Sequence, residues 1–102
     1  MKTLETRRPH EQACPVTKTA KMLSDTWTML IMHTLLPGPQ RFCELERSLE
    51  GISTRTLTLK LRKLEEEGMI KKGKDSAYEA TKKGKGLQII ERAMRRYGEL
   101  YL

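Results

Sequence analysis

Residues 51–70 read GISTRTLTLKLRKLEEEGMI, and this stretch decides the fold because it indicates a helix with two different faces. Ser53 is a suitable cap for the first turn, and Gly68 is a suitable stop. The inward apolar residues recur at spacings of four and three, which places them on one stripe of a helix. They are Leu57, Leu61 and Leu64.

The opposite face of this helix carries side chains that can contact DNA bases. At about 100° per residue, Arg55, Leu59 and Arg62 point away from the leucine stripe, with Thr58 and Lys63 beside them. Arginine can donate paired hydrogen bonds to a guanine edge, and threonine or leucine can contact a thymine methyl group. A solvated polar face is the alternative interpretation, since any amphipathic helix exposes one.

Three consecutive acids, residues 65–67, end the helix. Negative charge at that end opposes the helix dipole and repels phosphates. The N-terminal half is therefore predicted to enter a DNA groove, and the acidic end is predicted to point away from it.

Charge along the chain also indicates a polyanionic partner. The 102 residues include 20 Lys and Arg against 13 Asp and Glu, a net charge of +7. Residues 1–50 hold 7 basic and 6 acidic side chains, whereas residues 51–102 hold 13 and 7. A basic half of one small domain favours nucleic acid, and a solvated lysine face is the alternative.

Several other classes of protein lack support in the sequence. No segment has the roughly 18 apolar residues of a membrane span, and the start lacks an apolar signal core, so we expect a cytoplasmic protein. No Ser/His/Asp set, glycine-rich phosphate loop or paired carboxylates indicate catalysis, so neither an enzyme nor a cofactor is predicted. Nothing places the four side chains with metal-binding chemistry together, so no metal site is predicted. These are His10, Cys14, His33 and Cys43.

Caps, apolar periodicity and Pro/Gly stops divide the chain into a polar arm (residues 1–12), a domain (residues 13–81) and a last helix (residues 82–102). Within the domain we expect three helices, a short turn, a fourth helix and a hairpin around residues 73–76. This order is typical of a winged helix-turn-helix, an α+β fold that is mainly α, here with a short wing and an extra long C-terminal dimerisation helix. Val16, Ala20 and Leu23 share one face of the first helix, the second is predicted to be buried, and His33 is interpreted as a packed or edge residue.

Basic residues outside the fourth helix extend the predicted DNA surface, because the hairpin is rich in lysine and an arginine precedes the third helix. The full predicted contact set is Arg41, Ser53, Thr54, Arg55, Thr56, Thr58, Leu59, Arg62, Lys63, Lys71, Lys72 and Lys74.

The last helix carries an apolar repeat of its own. Leu87, Ile90, Met94, Tyr97 and Tyr101 recur at 3, 4, 3 and 4 residues, the seam of two paired helices, and predict a homodimer. The off-seam residues could cover the domain's own core; these are Ile89, Ala93 and Leu100. The alternative is that both stripes pack internally.

Cys14 directly precedes Pro15 at the position of a helix cap, near the positive end of the first helix. Arg7, Arg8 and His10 lie close by in sequence. The positive end of the helix and these basic residues both favour the reactive thiolate over the thiol. An unreactive cap or packing cysteine is the alternative.

Three segments together resemble one known family. They are Cys14-Pro15-Val16, Trp27 with the apolar helix and the run LLPGPQRFCELERSLEGISTRTLTLKLRKLEEEGMI that follow it, and YEATKKG at residues 78–84. Across roughly residues 14–86 the chain resembles the HxlR family of bacterial and archaeal transcriptional regulators. The resemblance implies a homodimeric winged-helix protein that binds double-stranded DNA and regulates transcription.

The resemblance also implies a role for Cys14, which matches the family cysteine that senses oxidants or electrophiles in some members. A small electrophile or oxidant is the implied effector. Two departures stand out: Thr26 replaces the usual lysine before Trp27, and the wing is shorter and lacks the usual proline. A winged-helix protein-interaction module without sequence-specific DNA binding is the alternative function.

Overall fold

The computed structural model describes residues 14–102, so the predicted arm at residues 1–12 lies outside the described residues. In chain order the elements are α1 (Pro15–Met22), α2 (Thr26–Leu35), α3 (Phe42–Ser48), α4 (Thr54–Glu66), β1 (Ile70–Lys72), β2 (Tyr78–Ala80), α5 (Lys82–Lys85) and α6 (Gln88–Tyr101). This succession confirms the predicted winged helix-turn-helix. From residue 14 onward, no helix is long and apolar enough to cross a bilayer.

Helix α2 is the centre of the core, as its nearly continuous apolar sequence predicts. Asp25 caps it, accepting a hydrogen bond of 2.9 Å from the backbone N–H of Thr28. Ile31 and Met32 have no exposed surface, and Leu35 is also buried. Helices α3 and α4 and strand β2 pack against this helix.

The helix-turn-helix consists of α3 and α4, joined by a turn at Gly51. Its φ of +91° is one that residues with side chains rarely adopt. Leu45 of α3 and Leu49, the residue that follows this helix, belong to the same buried cluster as Leu57 of α4. Because the turn and the shared core fix both helices, α4 has a defined orientation on the domain.

The wing is a short antiparallel hairpin in which Ile70 pairs with Ala80 and Lys72 pairs with Tyr78. Sequence reasoning predicted these two strands but missed a third partner. Gln40, in the loop before α3, exchanges two backbone hydrogen bonds with Tyr78, of 2.9 and 2.8 Å. The wing is thereby tied to the start of the helix-turn-helix.

Residues 78–84 close the wing against the end of α4. The Thr81 hydroxyl donates to the carbonyl of Gly68 at 2.5 Å and accepts from the N–H of Gly84 at 3.1 Å. A Cβ at Gly84 would overlap the carbonyl oxygen of Met69, so this close approach requires glycine. The Tyr-x-x-Thr-x-x-Gly pattern therefore has a structural role, which is to hold the wing against the end of α4.

The C-terminal region differs from the prediction in two respects. The predicted helix at residues 82–102 is divided into α5 and the long α6, because Leu87 turns inward between them and is buried in the core. The expectation that off-seam residues cover the core is wrong, since Ile89 is 78% exposed and Ala93 and Leu100 are also exposed.

Candidate nucleic-acid interface

The inner face of α4 is fixed by three leucines. Leu57, Leu61 and Leu64 are at most 2% exposed, so burial holds this stripe against the core. Because the helix turns about 100° per residue, Arg55 and Arg62 lie on the opposite side. The predicted division of α4 into an inner and an outer face matches the burial of its residues.

The outer face of α4 presents two arginines and a leucine. Arg55 and Arg62 are exposed, and neither guanidinium makes a hydrogen bond or ion pair within residues 14–102. Leu59 lies between them on this face and is 50% exposed. These two guanidinium groups can donate paired hydrogen bonds to base edges in a major groove, and the exposed leucine beside them can make an apolar contact there.

The hydroxyl residues at the start of α4 make local hydrogen bonds. Ser53 caps the helix, accepting from the N–H of Thr56 at 3.0 Å and donating to its hydroxyl at 2.9 Å. Thr58 donates to the carbonyl of Thr54 at 2.8 Å. Thr54 itself donates to Glu46 of α3 at 2.6 Å. These groups therefore shape and place the helix start.

The far end of α4 is acidic, as its sequence predicts. Glu65 and Glu66 are exposed, and Lys63 lies two residues before Glu65. Lys83, on α5, donates to the backbone carbonyl of Glu67 at 2.8 Å. The carboxylates at this end of the helix repel an approaching polyanion.

The wing adds exposed positive charge beside α4. Lys71, Lys72 and Lys74 are all exposed, and the ammonium of Lys72 lies 5.4 Å from the centre of the Tyr78 ring. Lys71 stands opposite Glu79 in the strand register, which offsets its charge locally. Lys72 and Lys74 are therefore the stronger candidates for phosphate contacts.

Arg41 lies close to the wing, as the sequence-based contact set requires. Its exposed side chain lines a cleft that Lys72 also lines, together with Cys43 and Tyr78. The backbone N–H of Arg41 donates to Glu44 at 2.7 Å and fixes the start of α3. The fold thus brings Arg41 and Lys72 to one surface although they are far apart in sequence.

Sequence reasoning missed an ion pair that joins α4 to the start of α2. The ammonium of Lys60 lies 2.9 Å from Oδ2 of Asp25, and the hydroxyl of Thr28 donates to the same oxygen at 2.8 Å. Partial burial acts to raise the pKa of Asp25, but the hydrogen bonds from Lys60 and Thr28 outweigh it and hold the pKa below its ordinary value of 3.8. No sequence pattern marks a pair separated by 35 residues.

The predicted dimer seam on α6 is accessible over most of its length. Met94, Tyr97 and Tyr101 are 53%, 60% and 71% exposed, and Ile90 is partly buried against the core. The prediction that Leu87 lies on this seam is wrong, since Leu87 is only 4% exposed and belongs to the domain's own core. The available seam therefore begins at Ile90.

The two cysteines occupy different surroundings. Cys14 is the N-cap residue of α1 with extended backbone and is half-buried, whereas Cys43 is exposed on α3. Within residues 14–102 no cluster of three or more His, Cys, Asp and Glu side chains could hold a metal ion, and His10 lies outside this range.

Comparison with known proteins identifies the family to which this chain belongs. A family model described as HxlR-like helix-turn-helix matches residues 22–102. The chain belongs to the HxlR family. It is a helix-turn-helix transcriptional regulator of that family, as the sequence motifs predict.

Individual relatives agree with this assignment. The HTH-type transcriptional regulator YvaP of Bacillus subtilis is 39% identical over 86 residues, covering 78% of this chain and 80% of YvaP. Quinone-bound YodB from B. subtilis has a similar structure, with a TM-score of 0.77 and 29% identity over 86% of this chain and 99% of YodB. The redox regulator HypR in its oxidised form matches with a TM-score of 0.77 and 29% identity, covering 87% and 98%.

Proposed function

We propose that this HxlR-family regulator acts in the cytoplasm as a homodimer that reads an inverted-repeat DNA operator with α4. The observation that carries the proposal is the outer face of α4, where Arg55 and Arg62 are exposed and uncommitted beside Leu59. The basic wing supports it, because Lys72 and Lys74 extend the positive surface.

The charge distribution favours one docking direction. The N-terminal half of α4 enters the major groove, where Arg55 reaches base edges. Arg62 follows on the same face about two turns later, and the acidic end stays outside. Lys72, Lys74 and Arg41 contact phosphates, which set register and affinity without reading sequence. The short wing contributes to this backbone contact more than to reading bases in the minor groove.

The decisive experiment is to select an operator from random duplexes and measure the binding of arginine variants to it. Arg55→Ala and Arg62→Ala are each expected to cost about 1–3 kcal/mol and to relax preference at one base position. Arg92→Ala on α6 is the matched control for loss of one positive charge. Normal operator binding by both α4 variants would overturn the assignment and favour a protein-interaction module.

The proposed homodimer rests on an apolar surface that one protomer leaves uncovered. The exposed seam on α6 continues to α1, where Val16 is 75% exposed and lies beside Ala20 in a groove that also contains Ile90. Paired α6 helices would bury these side chains, which the small core of one protomer cannot do. The twofold axis would then place two α4 helices on successive half-sites.

We also propose that Cys14 makes DNA binding responsive to a small electrophile or oxidant. Its place at the N-terminus of α1 favours the thiolate. The quinone-bound state of YodB and the oxidised state of HypR support the idea by family relationship. With a quinone, the sulfur forms a C–S bond to the ring, which takes up one proton and becomes a hydroquinone thioether. A modified α1 would shift against the partner subunit and change the spacing of the two α4 helices.

A further inference from the structure

Two polar contacts flank the leucine stripe of α4, one on each edge. Taking the stripe as the reference and about 100° per residue, Thr54 lies roughly 60° to one side and Lys60 roughly 60° to the other. Thr54 is bonded to Glu46 of α3, and Lys60 is bonded to Asp25 at the start of α2. The reading helix is therefore bonded to two different helices from its two edges.

The leucine stripe alone does not fix the rotation of α4 about its axis. Burial of apolar surface is non-directional, so a small rotation costs little hydrophobic free energy. Hydrogen bonds weaken steeply when their distance and angle change, so a bond on each edge resists rotation in both senses. With side chains about 6 Å from the helix axis, a rotation of about 10° would move the reading residues by about 1 Å.

We propose that Asp25 and Lys60 are positioning residues for DNA reading, which hold α4 at the rotation where Arg55 and Arg62 meet base edges. This inference rests on the proposed function. Lys60 lies at the edge of the buried face, with its side chain only 26% exposed, while the reading face lies on the opposite side. Lys60 therefore affects sequence recognition by positioning the two arginines and does not itself contact the bases.

The carboxylate of Asp25 also connects α4 to α1. Asp25 lies three residues after the end of α1, caps α2 through Thr28, and binds Lys60 with the oxygen that faces α4. A displacement of α1 would therefore reach the reading helix through this side chain, in addition to the core contacts of Met22 and Leu23. The ion pair thus gives the proposed response at Cys14 a physical route to the DNA-binding surface.

The test separates the ion pair from the cap. Asp25→Asn keeps an oxygen that can accept from Thr28, because asparagine is as good an N-cap as aspartate, but it removes the charge that binds Lys60. Lys60→Met keeps most of the apolar stem and removes the ammonium. Lys60→Arg restores a cation, and Thr28→Val removes one hydrogen bond to Asp25 while leaving the ion pair.

Binding to the selected operator and to a random duplex is measured for each variant by fluorescence anisotropy, with the thermal midpoint alongside. Loss of a partly exposed ion pair is expected to weaken each half-site about threefold, and hence a two-site operator about tenfold. Binding to the random duplex should stay within about twofold, because phosphate contacts tolerate a small rotation. Asp25→Asn with Lys60→Met should be no weaker than the worse single variant. Lys60→Arg should retain affinity, and Thr28→Val should lower only the midpoint.

Two results would overturn the inference. Additive losses in the double variant would show that Asp25 and Lys60 act separately. Equal weakening on operator and random duplex by Lys60→Met, with a smaller salt slope, would make Lys60 a phosphate contact. If Asp25→Asn fails to fold, the comparison of Lys60→Met with Lys60→Arg decides alone. A wild-type protein that cannot distinguish operator from random duplex would instead refute the proposed function, and the inference with it.

Discussion

Lysines on the wing and arginines on α4 have different surroundings, and their substitutions should differ accordingly. Lys72 and Lys74 are exposed point charges, which suit phosphates more than base edges. Lys72→Ala or Lys74→Ala should weaken operator and random duplexes alike and reduce the salt slope by about one counterion each. Titrations at several salt concentrations measure this. A loss confined to the operator would mean that the wing reads sequence.

Gly84 allows the closest backbone approach among the glycines in residues 14–102. A methyl group at this position would overlap the Met69 carbonyl and lie 3.0 Å from Cε of Met32. Gly84→Ala is therefore expected to destabilise the fold by about 1–3 kcal/mol, measured by urea denaturation. Gly38→Ala is the matched control, since nothing lies within 4 Å of its added methyl group. Equal midpoints for the two variants would contradict this account of the motif.

Cys14 provides a prediction that separates reactivity from structure. Operator affinity is measured before and after treatment with a quinone, in the wild type, in Cys14→Ser and in Cys43→Ser. We expect the wild type and Cys43→Ser to lose affinity on treatment and Cys14→Ser to keep it, because the modified sulfur lies at the start of α1. Unchanged wild-type affinity, with Cys14 shown by mass spectrometry to be modified, would refute the sensor proposal.

At the scale of elements, α4 and the wing are predictable because their determinants are local. Ser53, the leucine stripe and Gly68 lie within one short segment, and each specifies its own part of the helix. The break between α5 and α6 is not local. Leu87 fits the α6 repeat by spacing, yet the closure at Gly84 turns it into the core. The Asp25–Lys60 ion pair could not be predicted from the sequence either, because tertiary packing brings its two residues together.

Helix α6 is attached to α2 by a carboxylate with two partners. Oε2 of Glu91 lies 2.7 Å from Nδ1 of His33 on α2 and 2.6 Å from the guanidinium of Arg95 on α6. Burial acts to raise the pKa of Glu91, but the hydrogen bonds from His33 and Arg95 outweigh it and hold the pKa below its ordinary value of 4.5. The stabilisation is therefore present above that value and is lost as the pH falls through the lowered pKa.

A Glu91→Gln variant tests this attachment. Its thermal midpoint should lie below that of the wild type at neutral pH, because Gln lacks the charge that binds His33 and Arg95. The two midpoints should converge as the pH falls from 4.5 through the lowered pKa of Glu91, below which the wild-type carboxyl is also neutral. A gap that persists unchanged into acid would mean that Glu91 contributes by packing.

At the scale of the whole molecule, α6 and α4 are both attached to α2. Helix α6 is bonded to α2 through Glu91, and Asp25, the N-cap residue of α2, is bonded to Lys60 of α4. The exposed dimer seam and the reading face are thus attached to the same central helix. In the proposed homodimer, a change in the angle between α6 and α2 would alter the distance between the two α4 helices, even when each protomer keeps its own fold.

The proposed homodimer gives the last prediction. Wild-type protein should scatter light at twice the 11.8 kDa of one chain at micromolar concentration, whereas Tyr97→Glu, with a charge on the seam, should scatter as a monomer. Tyr97 is 60% exposed in one protomer, so the substitution should leave the thermal midpoint of the monomer fold nearly intact. Binding to an inverted repeat with half-sites about one DNA turn apart should fall sharply, and binding to a single half-site should not. Arg96→Ala controls for a surface change on the same helix. A monomeric wild type, or a Tyr97→Glu variant that remains dimeric, would place the interface elsewhere or remove it altogether.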